Sequence, residues 1–289
     1  MATLNKPIRE AVPHIFKRPL LSVRPSDSLL QVGTFLALGP QIYVDGLVVL
    51  NDNNGAAGTI GGRHIAEYIL YHQKSDWPAA SASDIMTRFD STVEADHSLT
   101  VALDIFAKTE FAFVPVTIDN RVVTSLSVRD LLKIIPALRL DTPIRELSSS
   151  LIAIDGKTSI GNALEIMLEQ GVRSLAVREA EGNTGAKTAA AAAAAAAPSI
   201  LNDRKILEFL ISHDGRQALI SKGVMQLFEI EVNTLDLQEP IVVDPGTSAS
   251  TAAGLFDVSV PFLLLDQQNS ILTPWDVVMK GLKKVKGQQ

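Results

Sequence analysis

The apolar and polar positions along the chain fall into four similar stretches. They read VRPSDSLLQVGTFL from Val23, VEADHSLTVALDIF from Val93, IDGKTSIGNALEIM from Ile154 and VDPGTSASTAAGLF from Val243. In each, a β-branched residue is followed by four turn-like positions, then a serine (Ser28, Ser98, Ser159, Ser248), then small or apolar residues at helical spacing. This order predicts a strand end, a helix N-cap and an amphipathic helix. A short apolar run follows each helix, IYVDGLVVL, FAFVPVTI, RSLAV and VPFLLL, as expected of buried strands. A polar turn comes next, and then a second strand leads into a last helix, at GTIGGRHIAEYIL, TSLSVRDLLKII, SILNDRKILEFLI and SILTPWDVVMKGL. The unit is β-α-β-β-α, so the fold class is α+β, built as a repeat.

In the third unit the turn is swollen into an insertion over 180–198 that carries nine alanines, Ala189 to Ala197. Two readings stay open: a helical insertion, since alanine is the best helix former, or placeholders for side chains that were never identified.

A chain of 289 residues can bury a substantial core, and 46% hydrophobic with 20% charged residues is a globular composition. The net charge of −6 offers no global field for nucleic acid. The absence of cysteine removes disulfides, thiol nucleophiles and cysteine-ligated metals. The N-terminal stretch lacks a signal-peptide core and no apolar run is long enough to span a membrane, so a cytoplasmic protein is expected.

Several motifs lead nowhere. GNTGAKT (182–188) lacks the glycine before lysine that a phosphate loop needs. The histidines at 14, 64, 72, 97 and 213 include no i, i+4 pair, so no metal site is expected. Glu165 and Glu169 share a helix face, which ordinary exposure explains. Lys280, Lys283, Lys284 and Lys286 complement a helix C-terminus. No nucleophile elbow occurs, and the chain is not expected to be an enzyme.

The second unit, with FVPVTIDNRVVTSLSVRDLL, resembles the cystathionine β-synthase (CBS) domain, whose pattern runs through an apolar-Pro-Val strand, an acidic turn and Thr or Ser three places before Asp. The resemblance extends over four repeats, set at 1–75, 76–142, 143–222 and 223–289. It implies two pseudo-twofold modules, repeats one with two and three with four, packed together as a disc.

Ser127 with Asp130, and Thr273 with Asp276, first read as capping boxes. The resemblance implies a second use, in which the hydroxyl takes a phosphate and the carboxylate takes the ribose of an adenosyl ligand. Val114 and Pro115, and likewise Val260 and Pro261, would then flank the base. Repeats one and three carry Gly61 with His64 and Asn202 with Lys205 at these places, so neither offers a carboxylate. Arg63, His64, Arg173, Arg204 and Lys205 become candidate phosphate contacts, Arg173 by likeness to the kinase-regulating gamma subunits of the family.

The expected function is a regulatory sensor for AMP, ADP, ATP or S-adenosylmethionine. It requires no cofactor and acts on an unidentified protein, with a homodimer as one option. The alternatives are a nucleic-acid-binding module that uses the basic residues of repeats one and three, and a ligand-free structural adaptor.

Overall fold

A computed structural model describes residues 3–38, 45–72, 76–88, 91–178, 198–257, 260–265 and 270–282. The alanine insertion, the GNTGAKT stretch and the lysines at 283, 284 and 286 lie outside these residues.

Each repeat forms one small sheet whose first strand runs parallel to the second, and whose second and third strands are antiparallel. In repeat one the strands are Ser22–Val23, Leu47–Leu50 and Ala56–Ile60, and in repeat two Val93–Glu94, Phe113–Ile118 and Arg121–Ser127. Repeat three has Ala153–Asp155, Ser174–Arg178 and Ser199–Asn202, and repeat four has Ile241–Val243, Leu263–Leu265 and Ser270–Leu272. The parallel crossovers are the helices Leu29–Leu38, Leu99–Thr109, Ile160–Gln170 and Ala249–Ala253, which start directly after the four serines. The third strands run into Gly62–His72, Val128–Leu132, Asp203–Ile211 and a π-helical turn at Asp276–Lys280.

The middle strands explain why the sequence shows continuous apolar runs there. A strand covered on both faces needs an apolar residue at every position, because successive side chains point to opposite sides. In repeat one, Leu47 and Val49 enter the core shared with repeat three, while Val48 and Leu50 meet Phe113 and Val122 of repeat two. In repeat four, Leu263 and Leu265 enter the core shared with repeat two, while Leu264 packs with Ala176 and Ile200 of repeat three. Sheets therefore face each other within the pairs one–two and three–four. The two large helical cores join one with three and two with four. The approach of repeats one and two is so close that a Cβ on Gly46 would sit 2.0 Å from the Phe113 ring.

The segment that leads into each repeat lies on the paired repeat. Ile8 N and Arg9 N donate to His97 O and Ala95 O of repeat two, and between repeat one and the segment entering repeat two Leu29 N donates to Ala80 O and Ala82 N to Asp27 O. Ile144 and Arg145 bond Thr247 O and Pro245 O of repeat four, and Ile160 N bonds Ile230 O of the segment that enters repeat four. Each pair is thus tied by two crossing leaders. The apolar residues Leu4, Ile8, Val12 and Ile15 anchor the first of these in the core of repeats two and four.

Candidate functional site

In repeat two the strand Arg121–Ser127 ends at a serine in extended conformation, which caps the helix Val128–Leu132. The Ser127 side chain accepts from Asp130 N, and Asp130 Oδ2 accepts from Ser127 N at 2.8 Å. Repeat four repeats this reciprocal arrangement: Thr273 N donates to Asp276 Oδ2 at 2.9 Å and Asp276 N to Thr273 Oγ1 at 3.3 Å. Capping accounts for the hydroxyl and for one carboxylate oxygen in each copy. It leaves Oδ1 of both carboxylates unexplained.

That second oxygen meets the leader of the paired segment. Arg18 clamps Asp130 bidentately, Nη1 to Oδ1 and Nη2 to Oδ2 both at 2.7 Å, while Nη2 also reaches Ser125 O and His14 Nε2 lies 3.2 Å from Oδ1. The Asp130 side chain is fully buried and Arg18 is only 12% exposed. Burial alone would push the Asp130 carboxyl up. The hydrogen bonds from His14 and Arg18, the guanidinium charge and the Ser127 N–H outweigh it and hold the carboxyl below its ordinary value.

In repeat four, Ser149 Oγ donates to Asp276 Oδ1 at 2.9 Å and Lys280 Nζ pairs with the same oxygen at 2.7 Å. Lys280 also donates to Leu147 O at 2.7 Å. Ser149 adds its backbone to the edge of the sheet, opposite Ile271.

Arg18 and Ser149 occupy one structural position. Arg18 stands five residues before Val23, and Ser149 five before Ile154. The same count before Val243 gives Gln238, whose Oε1 accepts from Asn202 Nδ2 at 3.2 Å in the cleft of repeat three. In repeat one, Thr87 crosses the cleft instead, 2.8 Å from His64 Nε2. The histidine Nδ1 accepts from Gly61 N at 2.8 Å, so the neutral ring carries its proton on Nε2 and donates to Thr87 Oγ1. Burial lowers the His64 pKa, which favours that neutral form. His64 thereby replaces the aspartate as acceptor for the cap N–H, and Asn202, accepting from Lys205 N, replaces the hydroxyl.

The candidate phosphate contacts are held by the chain's own groups. Arg63 pairs with Glu67 and Arg173 with Asp203, each at 2.7 Å, and Lys205 pairs with Asp236 at 2.8 Å. Arg204 Nε lies 3.1 Å from Glu208 and its Nη2 donates to Ala37 O. The Asp203 charge raises the Arg173 pKa, the Asp236 hydrogen bond raises that of Lys205, and burial lowers that of Arg204. His64 stacks on Phe111 of repeat two, with ring centroids 6.2 Å apart, so it does face the paired repeat. Val114 and Pro115 are buried in the middle strand of repeat two, whereas Val260 and Pro261 are half-buried.

The residues that complete the carboxylate sites, His14, Arg18, Ser149 and Lys280, were missed by motif reading. His14 offers no ligand spacing, and Arg18 and Ser149 share no residue type. Only counting back from the first strand of the repeat aligns them.

Residues 82–137 match the family model described as the CBS domain. Among curated proteins none matches the chain. A crystal structure from Methanocaldococcus jannaschii, described as that of a candidate archaeal homolog of g-AMPK, is 17% identical with a TM-score of 0.72, covering 91% of this chain and 96% of that one. An uncharacterized conserved protein from Pyrococcus horikoshii is 15% identical with a TM-score of 0.51, over 83% of this chain and 92% of that one. Among the described residues no helix is long and apolar enough to cross a membrane. The matched segment contains the middle strand, the Ser127–Asp130 junction and the leader that lies across repeat one, so residues 82–137 match the CBS domain, and the chain as a whole shares the fold of the Methanocaldococcus jannaschii protein.

Proposed function

We propose that the chain is a regulatory protein that binds an adenine nucleotide or an S-adenosyl compound in the clefts of repeats two and four, with Asp130 and Asp276 receiving the ribose hydroxyls. One observation carries the reading. In both clefts the carboxylate spends one oxygen on its helix cap and presents Oδ1 to hydrogen-bond donors, His14 and Arg18 from another segment in one, and Ser149 from another segment with Lys280 of the same helix in the other. Ribose hydroxyls are donors of the same kind and can replace them. Capping requires neither burial nor a donor on the second oxygen, and the two odd repeats, which are capped without an acid, have no such place. Ser127 and Thr273 stand beside the ribose, and Val114, Pro115, Val260 and Pro261 border the base.

In this role the protein performs no chemistry of its own, and ligand occupancy shifts the populations of cleft geometries that a partner protein distinguishes. Thermal unfolding with AMP, ATP and S-adenosylmethionine tests the reading. At ligand well above its dissociation constant the melting temperature rises, and Asp276→Asn together with Asp130→Asn abolishes the rise. Absence of a shift with every one of these compounds would falsify it.

A further inference from the structure

We infer that Arg18 is an internal competitor for the cleft of repeat two, so that a ligand fills the cleft of repeat four first and enters repeat two only by expelling the guanidinium and loosening residues 13–18. The inference rests on the reading of Asp130 and Asp276 as ribose-binding carboxylates.

The two clefts differ in what must leave. At Asp276 the competing groups are a serine hydroxyl, which turns about one bond, and Lys280, which is 41% exposed. At Asp130 the competitor is a planar fork that holds both oxygens and the Ser125 carbonyl at once, at 12% exposure. Such a bidentate pair is the strongest donor set a carboxylate meets in a protein. Ribose hydroxyls can take Oδ1 only when Nη1 has withdrawn. His14 on the turn Pro13–Lys17 and Arg18 just after it share Asp130 Oδ1, so vacating that oxygen removes the contacts that tie this turn to the cleft.

The movement has a near end and a far end. Ile8 and Val12 are fully buried, Ile8 N and Arg9 N bond His97 O and Ala95 O, and Arg9 pairs with Asp96. Residues 4–12 therefore stay seated. The turn 13–17 is held by Ile15, by the bond from Thr124 Oγ1 to Ile15 O at 2.8 Å, and by His14 and Arg18 on Asp130. Losing the last two groups leaves the turn held at Ile15 alone and loosens it on either side. Occupancy of repeat two is thereby written onto a surface segment that a partner can read.

Hydrogen exchange of the full chain with and without AMP tests this, using wild type, Arg18→Gln and Ser149→Ala. In wild type, AMP protects residues 270–280 at lower concentration than 113–130, and exchange rises in 13–18 but not in 4–12 as 113–130 becomes protected. Arg18→Gln lowers the AMP concentration that protects 113–130 by about tenfold or more and leaves that for 270–280 unchanged, while Ser149→Ala does not affect 113–130. If Arg18→Gln does not fold, Arg18→Lys keeps the charge without the fork and gives a smaller shift in the same direction. Protection of 113–130 with unchanged exchange in 13–18, or no gain in repeat two from either Arg18 variant, overturns the competitor and leaves the nucleotide reading standing. Protection of neither cleft in any variant overturns both.

Discussion

Repeats two and four solve the same local problem with a hydroxyl and an aspartate at the same spacing and then diverge through what completes the carboxylate. Both end a strand at a hydroxyl, both start a helix there, and both bury an aspartate at the third position of that junction. In repeat two a distant arginine and histidine complete the carboxylate, and in repeat four a serine and the lysine one turn along the same helix do so. The first arrangement neutralises a fully buried charge from outside the repeat. The second satisfies it largely from within, since Lys280 is the i+4 neighbour of Asp276. An identical motif therefore implies identical caps, but not equal accessibility of the two carboxylates.

The sharpest way to break this comparison is to remove the distant partner in each pair. Arg18→Leu leaves the buried Asp130 carboxylate without its counter-charge and should cost about 3–5 kcal/mol in urea unfolding, whereas Ser149→Ala removes one hydrogen bond of a carboxylate that keeps Lys280 and should cost about 1 kcal/mol. Equal costs would mean that the two clefts are energetically alike.

Acid separates them next. The Asp130 pKa is lower in the folded chain than its ordinary 3.8, so its ionised form contributes stability that is fully present above that value and is lost as pH falls through the folded pKa. The destabilisation caused by Asp130→Asn should therefore be large at pH 7 and shrink once pH drops below about 4. A penalty that stays constant down to pH 2.5, followed by circular dichroism in urea, contradicts the assignment.

His64 extends the comparison to repeat one, where an imidazole performs the capping duty of the missing acid. Burial lowers its pKa below 6.5, so the stability tied to its neutral form is present above that value and declines as pH falls. His64→Gln should flatten the pH dependence of the melting temperature between pH 7.5 and 5.5, and an unchanged slope would show that the ring is not the titrating group. The smallest effect belongs to repeat three. Lys205→Ala loses an ion pair with the exposed Asp236 and should change stability by about 0.5 kcal/mol or less, an effect that fades in 1 M salt.

Much of this was legible from the chain alone. The four strand-turn-serine-helix starts appear at Val23, Val93, Ile154 and Val243, and the crossover helices begin at the residue after each serine. The apolar run LVVL announced a strand buried on both sides, but its alternate residues serve different neighbours, Val49 joining repeat three and Val48 joining repeat two. No periodicity could reveal that division. The modules were expected to pair one with two and three with four, which the facing sheets show. The larger helical cores tie one to three and two to four, and these depend on which helix faces meet after folding.

The carboxylate sites show the same limit more severely. A capping box spans three residues, so the amino acids themselves specify it at Ser127 and Asp130 and at Thr273 and Asp276. The contact between Arg18 and Asp130 spans 112 residues and that between Ser149 and Asp276 spans 127. Local pattern carries no record of separations that long, because the two segments meet only when a leader is laid across its paired repeat. The sequence by itself determined the repeat, its elements and its caps, all products of neighbours within a few residues. Tertiary structure alone decided which donor occupies each buried carboxylate, and with it how readily each cleft admits a ligand.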